Sequence, residues 1–217
     1  RFNLSEGKDP QHYGIGLKEL WAIDPARHED GMVLHGSGWP LSETHSNGGW
    51  WLYFDENNQV SFGMVIDLAY HNPYLSPFDE LQRLKTHPLI RNILEGGKRL
   101  SYGARALTKG GLNSLPKLYF AGGVLVGDDA GFLNPAKIKG THTSIKSGML
   151  AAEAIYEAIA AGRQHDEVAS YEQKFKASWL YNDMYAARNF ATAMHRMGIW
   201  MGGAFNFLEQ NLFKGKM

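Results

Sequence analysis

The 217-residue chain contains no cysteine. Disulfides, thiolate metal sites, cysteine-ligated clusters and cysteine nucleophiles are therefore excluded within these residues. Nor is there an excess of charge of either sign, since 22 Lys+Arg stand against 22 Asp+Glu. With no net positive field, nucleic acid is not an expected partner. No apolar run approaches the roughly 20 residues of a membrane-spanning helix. Internal repeats and low-complexity tracts are missing too. "RFNLSEGKDP" opens without an initiating Met or a signal-peptide pattern. "FKGKM" follows directly on the most apolar helix-like stretch. Both ends read as cut rather than natural.

What is present suffices for a globular core, with 44% hydrophobic residues. "GIGLKELWAID" ends in an apolar strand-like run, and "MVLHGSGWPL" is a short strand entering a Gly/Pro turn. In "GGWWLYFDENNQVSFGMVIDL", Trp50, Leu52 and Phe54 alternate on one strand and Val60, Phe62, Met64 and Ile66 on the next. Asp55–Asn58 is the turn of this predicted hairpin. Ser76 is placed to cap a helix with Pro77 in its first position, Asp79 as the capping-box acid, and Phe78, Leu81 and Leu84 as the buried stripe. "LEGGKRLSYGARAL" returns to strand and turn, and "KLYFAGGVLVGD" reads as a buried strand. Thr143–Ala161 is predicted as an amphipathic helix with Ile145, Met149, Ala152, Ile155, Tyr156 and Ile159 facing inward. A helix or helix pair follows from Asp166, and a last helical piece covers Met197–Phe213. Strands first and helices last give an α+β class.

One segment carries chemistry. "GGVLVGDDAGFLNPAKIKGTHTSIKSG" reads as a strand, a glycine–aspartate turn, a polar loop and a helix start. The Asp128 carboxylate can accept hydrogen bonds from sugar-like hydroxyls. The helix start around Gly140–Thr143 offers unpaired N–H groups and a positive dipole end. This suits a polyhydroxyl chain attached to an anion-stabilised ring, of which a flavin is one example. "GDDAG" would serve equally as a tight strand-to-helix turn, but the polar loop behind it is longer than a turn needs.

"GDDAGFLNPAKIKGTHTSIKSGMLAAEAIYEAI" resembles the second flavin-contacting motif of FAD-dependent oxidoreductases of the FixC and geranylgeranyl reductase type. More closely, the chain resembles the electron-transfer flavoprotein–ubiquinone oxidoreductase family. The likeness runs through "YGIGLKELW", "GWPL", "GGWWLY", "NPYLSPFDELQRLKTHP", "LEGGKRLSYGARAL", "GGLNSLPKLYFAGG" and "KIKGTHTSIKSGMLAAE", essentially the whole chain. It implies an enzyme of electron transport with three parts: an FAD domain, a ubiquinone-binding domain and a [4Fe-4S] domain. This sequence departs by omission. "GIG" at Gly14–Gly16 lacks the third glycine and the helix of a dinucleotide fingerprint, and the cluster cysteines are absent, so the resemblance implies an internal fragment of such a protein.

The resemblance implies that residues 1–112 form mainly the ubiquinone-binding domain, an antiparallel sheet with a short helix pair. Residues 113–165 would be the C-terminal part of a glutathione-reductase-like FAD domain, and 166–217 a helical segment. Gly127, Asp128, Gly131, Gly140 and Thr141 match flavin-contacting positions, with Asn113 a weaker candidate. Gly48 and Gly49 match the glycine pair that meets the ubiquinone head group, although a hairpin-entry kink would also explain them. His142 and His45 are read as loop histidines rather than proton donors, and Lys137 and Lys139 as facing solvent rather than the flavin's polar edge. Composition alone makes Met197–Phe213 an ordinary core helix. The resemblance makes it instead a membrane-associated, monotopic helix with Met197, Trp200, Met201, Phe205, Leu208 and Leu212 outward. The implied partners are ubiquinone, electron-transfer flavoprotein and a bacterial or mitochondrial inner-membrane surface. Two other readings stay open: a FixC-like or geranylgeranyl-reductase-like enzyme for another hydrophobic acceptor, and a non-catalytic membrane-associated binding module.

Overall fold

A computed structural model describes residues 2–216 and divides the chain into two compact units. A sheet unit comprises Tyr13–Leu107, and a helical unit comprises Arg1–His12 with Thr108–Met217. The observed class is α+β.

The sheet unit holds strands β1 (Tyr13–Ala22), β2 (Val33–Gly36), β3 (Gly48–Asp55), β4 (Gln59–Asp67) and β5 (Lys98–Thr108) in the order β2-β3-β4-β1-β5. The expected hairpin is β3–β4, paired antiparallel from Gly48↔Ile66 to Asp55↔Gln59. Its turn uses Asn57 and Asn58 at positive φ, a conformation asparagine tolerates better than most residues. Leu52 and Phe54 face the same side as Val60, Phe62, Met64 and Ile66, and all six are buried. Helices α1 (Pro77–Leu84) and α2 (Pro88–Leu94) cover that side, bringing Leu81, Leu84, Ile90 and Ile93 into the same core. The Ser76 hydroxyl caps α1 by accepting from the Asp79 N–H at 3.3 Å. Phe78, expected in the buried stripe, is exposed. Glu80 takes a buried place instead, held by Arg83 one turn on.

In the helical unit, "KLYFAGGVLVGD" is not one buried strand. It folds back at Gly122 (φ +79°) into two-residue strands β6 (Tyr119–Phe120) and β7 (Gly123–Val124), both half-buried. Helices α3 (Gly127–Ala130), α4 (Thr141–Ala160), α5 (Ala169–Lys176), α6 (Trp179–Ala186) and α7 (Phe190–Asn211) follow.

Helix α4 lies where the periodicity places it, but its faces are reversed. Ile145, Met149 and Tyr156 are exposed, Tyr156 by 73%. Thr143, Ser147, Leu150, Ala151, Ala154 and Ala158 are buried. The reason is close packing. The core of this unit is filled by Tyr171, Phe175 and Phe132, so the side of α4 that meets them carries small residues.

Candidate functional site

The turn around α3 and the start of α4 lie side by side. Gly127 and Gly131 have φ of +67° and +101°, conformations that glycine reaches without strain. Gly131 N–H donates to the Asp128 carbonyl at 2.9 Å, and Phe132 N–H to the Gly127 carbonyl at 3.2 Å. Ser147, fully buried on α4, accepts the Gly127 N–H at 2.9 Å and donates to the Ser144 carbonyl at 2.8 Å. The turn is thereby tied to the second turn of α4. A Cβ built on Gly140 would stand 3.6 Å from Asp128 Oδ1, so the carboxylate reaches toward the helix start. Gly127, Asp128, Gly131, Gly140 and Thr141 thus form one neighbourhood. Asn113 stands on a short 3-10 turn, Leu112–Ser114, where its carbonyl accepts from Asp9 N–H at 3.1 Å, and it lines an open cleft of about 430 Å³.

The N-cap of α4 is Gly140, which has no side chain to cap the first turn. The N-cap residue therefore offers no side-chain acceptor to the N–H groups that open this 20-residue helix, which carry the dipole's positive end. That fits the anionic edge of a reduced flavin, with the Asp128 carboxylate beside it as an acceptor for ribityl hydroxyls.

The approach loop is held by a cluster centred on Asp183 that sequence reasoning missed. Asn134 is buried. Its Oδ1 accepts from the Ala136 and Lys137 N–H groups at 3.0 and 3.1 Å. Its Nδ2 donates to Asp183 Oδ2 at 2.8 Å, from 49 residues away in the chain. Lys137 Nζ pairs with Asp183 Oδ1. His142 Nε2 lies 3.6 Å from Asp183 Oδ2, and its ring is parallel to that of Trp179, with centroids 6.1 Å apart. Burial pushes the Asp183 carboxyl up, but the hydrogen bonds from Lys137 and Asn134 outweigh it and hold the group below its ordinary value. Lys137 is thus engaged rather than simply solvated. Asp183 sits in a helical stretch with no motif around it, so no local signal marks it.

In the sheet unit, Gly48 and Gly49 open β3. A Cβ on Gly48 would come within 2.3 Å of the Val65 carbonyl and 2.4 Å of Leu41 Cδ1. One on Gly49 would come within 2.9 Å of the Gly36 carbonyl. Packing within the unit therefore demands glycine at both positions, whatever ligand approaches.

Helix α7 breaks at Gly198 (φ +69°, ψ −175°), and its second half lies back on its first. Gly202 makes the contact: a Cβ there would stand 2.7 Å from the Ala193 carbonyl. Apart from Gly202, the buried residues of the second half are polar. Asn206 Nδ2 donates to the Phe190 carbonyl at 3.3 Å, Glu209 Oε1 accepts from Asn189 Nδ2 at 2.7 Å, and half-buried Gln210 donates to the Ala186 carbonyl at 2.7 Å. Apolar residues point outward: Trp200 is 89% exposed, Met201 69%, Leu208 50% and Leu212 67%, and Ile199 and Phe207 join them. Met197 and Phe205 are half-buried. Among the described residues, no helix is long and apolar enough to cross a membrane, and no group of His, Asp and Glu could hold a metal ion.

Solved structures with this fold include a geranylgeranyl bacteriochlorophyll reductase-like protein from Thermoplasma acidophilum (TM-score 0.65, 18% identity, covering 92% of this chain and 47% of that one). The flavin-dependent brominase Bmp2 is another (TM-score 0.58, 17% identity, 92% and 47% covered). The fold is one shared with that flavin-dependent enzyme. Sequence narrows the class. Residues 13–107, the bounds of the sheet unit, match the family model for ETF-QO, ubiquinone-binding. Over 99% of its length the chain is 61% identical to a probable electron transfer flavoprotein-ubiquinone oxidoreductase of Acinetobacter baylyi, covering 40% of that protein. It is 59% identical to the Pseudomonas aeruginosa protein of that name, covering 39% of it, and 48% to the human mitochondrial one, covering 36%. The chain is similar over its whole length to electron transfer flavoprotein–ubiquinone oxidoreductases and spans about two fifths of the length of these bacterial relatives.

Proposed function

We propose that this chain works as part of a longer, monotopic flavoprotein that carries electrons from reduced electron-transfer flavoprotein to ubiquinone. The observation that carries the reading is the match of a ubiquinone-binding family model to one entire compact unit. The sheet unit would bind the quinone, with main-chain atoms of Gly48 and Gly49 at the start of β3 meeting its head group. The helical unit would hold the ring and ribityl side of FAD, which supplies the redox chemistry when bound. There the N–H groups at Thr141–Thr143 favour negative charge on the ring, Asp128 orients the ribityl hydroxyls, and Gly127, Gly131 and Gly140 allow close approach. Asn113 is assigned to the same side more weakly. The [4Fe-4S] cluster of such a pathway would use ligands outside this cysteine-free chain.

The outer face of α7 supports an interfacial helix. Asn206 and Gln210 face inward onto carbonyls of α7 and α6, and the apolar residues are left for the acyl boundary of an inner membrane. A lipid-soluble quinone is reached most directly from there. The test is re-oxidation of reduced flavin in a protein of the relatives' length. Ubiquinone should accelerate it in proportion to quinone concentration. Re-oxidation indifferent to ubiquinone but sensitive to another hydrophobic acceptor would refute the quinone reading.

A further inference from the structure

We propose that Asp183 is a positioning residue for the cofactor site, fixing the loop Asn134–Gly140 and balancing the charge of Lys137 beside the start of α4. The inference rests on the flavin reading of α4 given above.

Two features show that this loop is held rather than merely folded. Ile138 adopts φ +51°, which is strained for a β-branched residue and persists only where neighbours over-determine it. Asn134 is buried with both ends of its amide engaged, one on the loop's own N–H groups and the other on Asp183. Asp183 therefore anchors the loop two residues before Ala136 and again at Lys137. It also reaches His142, in the first turn of α4 itself. Trp179, one turn earlier on α6, supports the other side of that imidazole. The N–H groups of Thr141 and His142 are thus placed by a residue of a different helix.

A scaffold role needs only an acceptor at position 183. Balancing Lys137 needs a carboxylate. The two are separable because Asn keeps the acceptor for Asn134 and loses the charge. In the FAD-loaded protein of the relatives' length, Asp183→Asn should shift the flavin midpoint potential upward. Lys137, no longer neutralised, would favour the anionic reduced ring. Lys137→Met alone should shift the potential downward. The double variant should return it toward the unsubstituted value, and Asp183→Glu should leave it nearly in place.

A potential unmoved by Asp183→Asn with FAD still bound would overturn the inference, as would a double variant that fails to compensate. If Asp183→Asn does not retain FAD, Lys137→Met decides: an unchanged potential there also overturns it. Gly140→Ala separates this from the reading beneath it. Its methyl would meet protein atoms only at ordinary distance, the nearest at 3.6 Å, so the fold accepts it and any effect reports on the ligand. Loss of FAD affinity in Gly140→Ala with a silent Asp183→Asn removes only the role of Asp183. Silence in both removes the flavin from the start of α4.

Discussion

At the scale of single residues, the strongest polar commitment of the sheet unit is Glu19. It is buried on β1, where it accepts from Lys85 Nζ at 3.0 Å, Arg99 Nη1 at 3.1 Å and Trp21 Nε1 at 2.8 Å. Burial raises its pKa, but the bonds from Lys85 and Trp21 and the charge of Lys85 outweigh this and leave it below the ordinary 4.5. The unfolded chain therefore binds this proton more readily than the folded one. The stabilisation from Glu19 is complete above 4.5 and declines as pH falls through the folded value. Glu19→Gln should lower the unfolding free energy in urea by about 1–3 kcal/mol at neutral pH and flatten the loss of stability on acidification. Equal stability and an unchanged acid profile would contradict this assignment. Of these partners only Trp21 lies within "LKELW"; the two cations come from β5 and from the residue after α1, so the ion pairs are not legible there. The adjacency of Gly127, Asp128, Gly131 and Gly140 was legible, because turn and helix start follow one another in sequence. The anchoring of that segment by Asp183 was not.

At the scale of elements, periodicity located the helices and hairpins better than it oriented them. The β3–β4 hairpin has both its pairing and its inward face marked by alternation, because one face of the sheet is dry. The inward face of α4 is set by size instead. Its alanines pack among aromatic neighbours, and the larger apolar residues remain outside. Helix α7 carries the reversal further, with polar residues inward on carbonyls at the end of α6 and the start of α7. An outward apolar face makes a direct prediction. The chain should co-sediment with phospholipid vesicles. Trp200→Glu combined with Leu208→Glu should weaken that association at least about tenfold, since carboxylates on the apolar face oppose insertion. Both sites are exposed, so unfolding free energy should change by no more than about 0.5 kcal/mol per site. Unaltered vesicle binding by the double variant would refute the interfacial role of α7.

At the scale of the whole molecule, the chain combines two units with separate cores, one centred on β3, β4 and the α1–α2 pair, the other on α4 and α5. The two pieces that make up the helical unit, before and after the sheet unit in sequence, follow from strand pairing and helix packing over long separations, which no local pattern displays. The central claim is that the sheet unit holds the quinone. Substituting Gly48 or Gly49 tests it poorly, because a side chain at either would strike the Val65 or Gly36 carbonyl first. The direct measurement is photo-crosslinking with a ubiquinone analogue carrying its reactive group on the ring, followed by peptide mapping in a protein of the relatives' length. The account predicts that the label falls within Tyr13–Leu107, around β3 and the segment leading into it, and that unlabelled ubiquinone competes it away. A competed label lying wholly outside those residues would contradict the account.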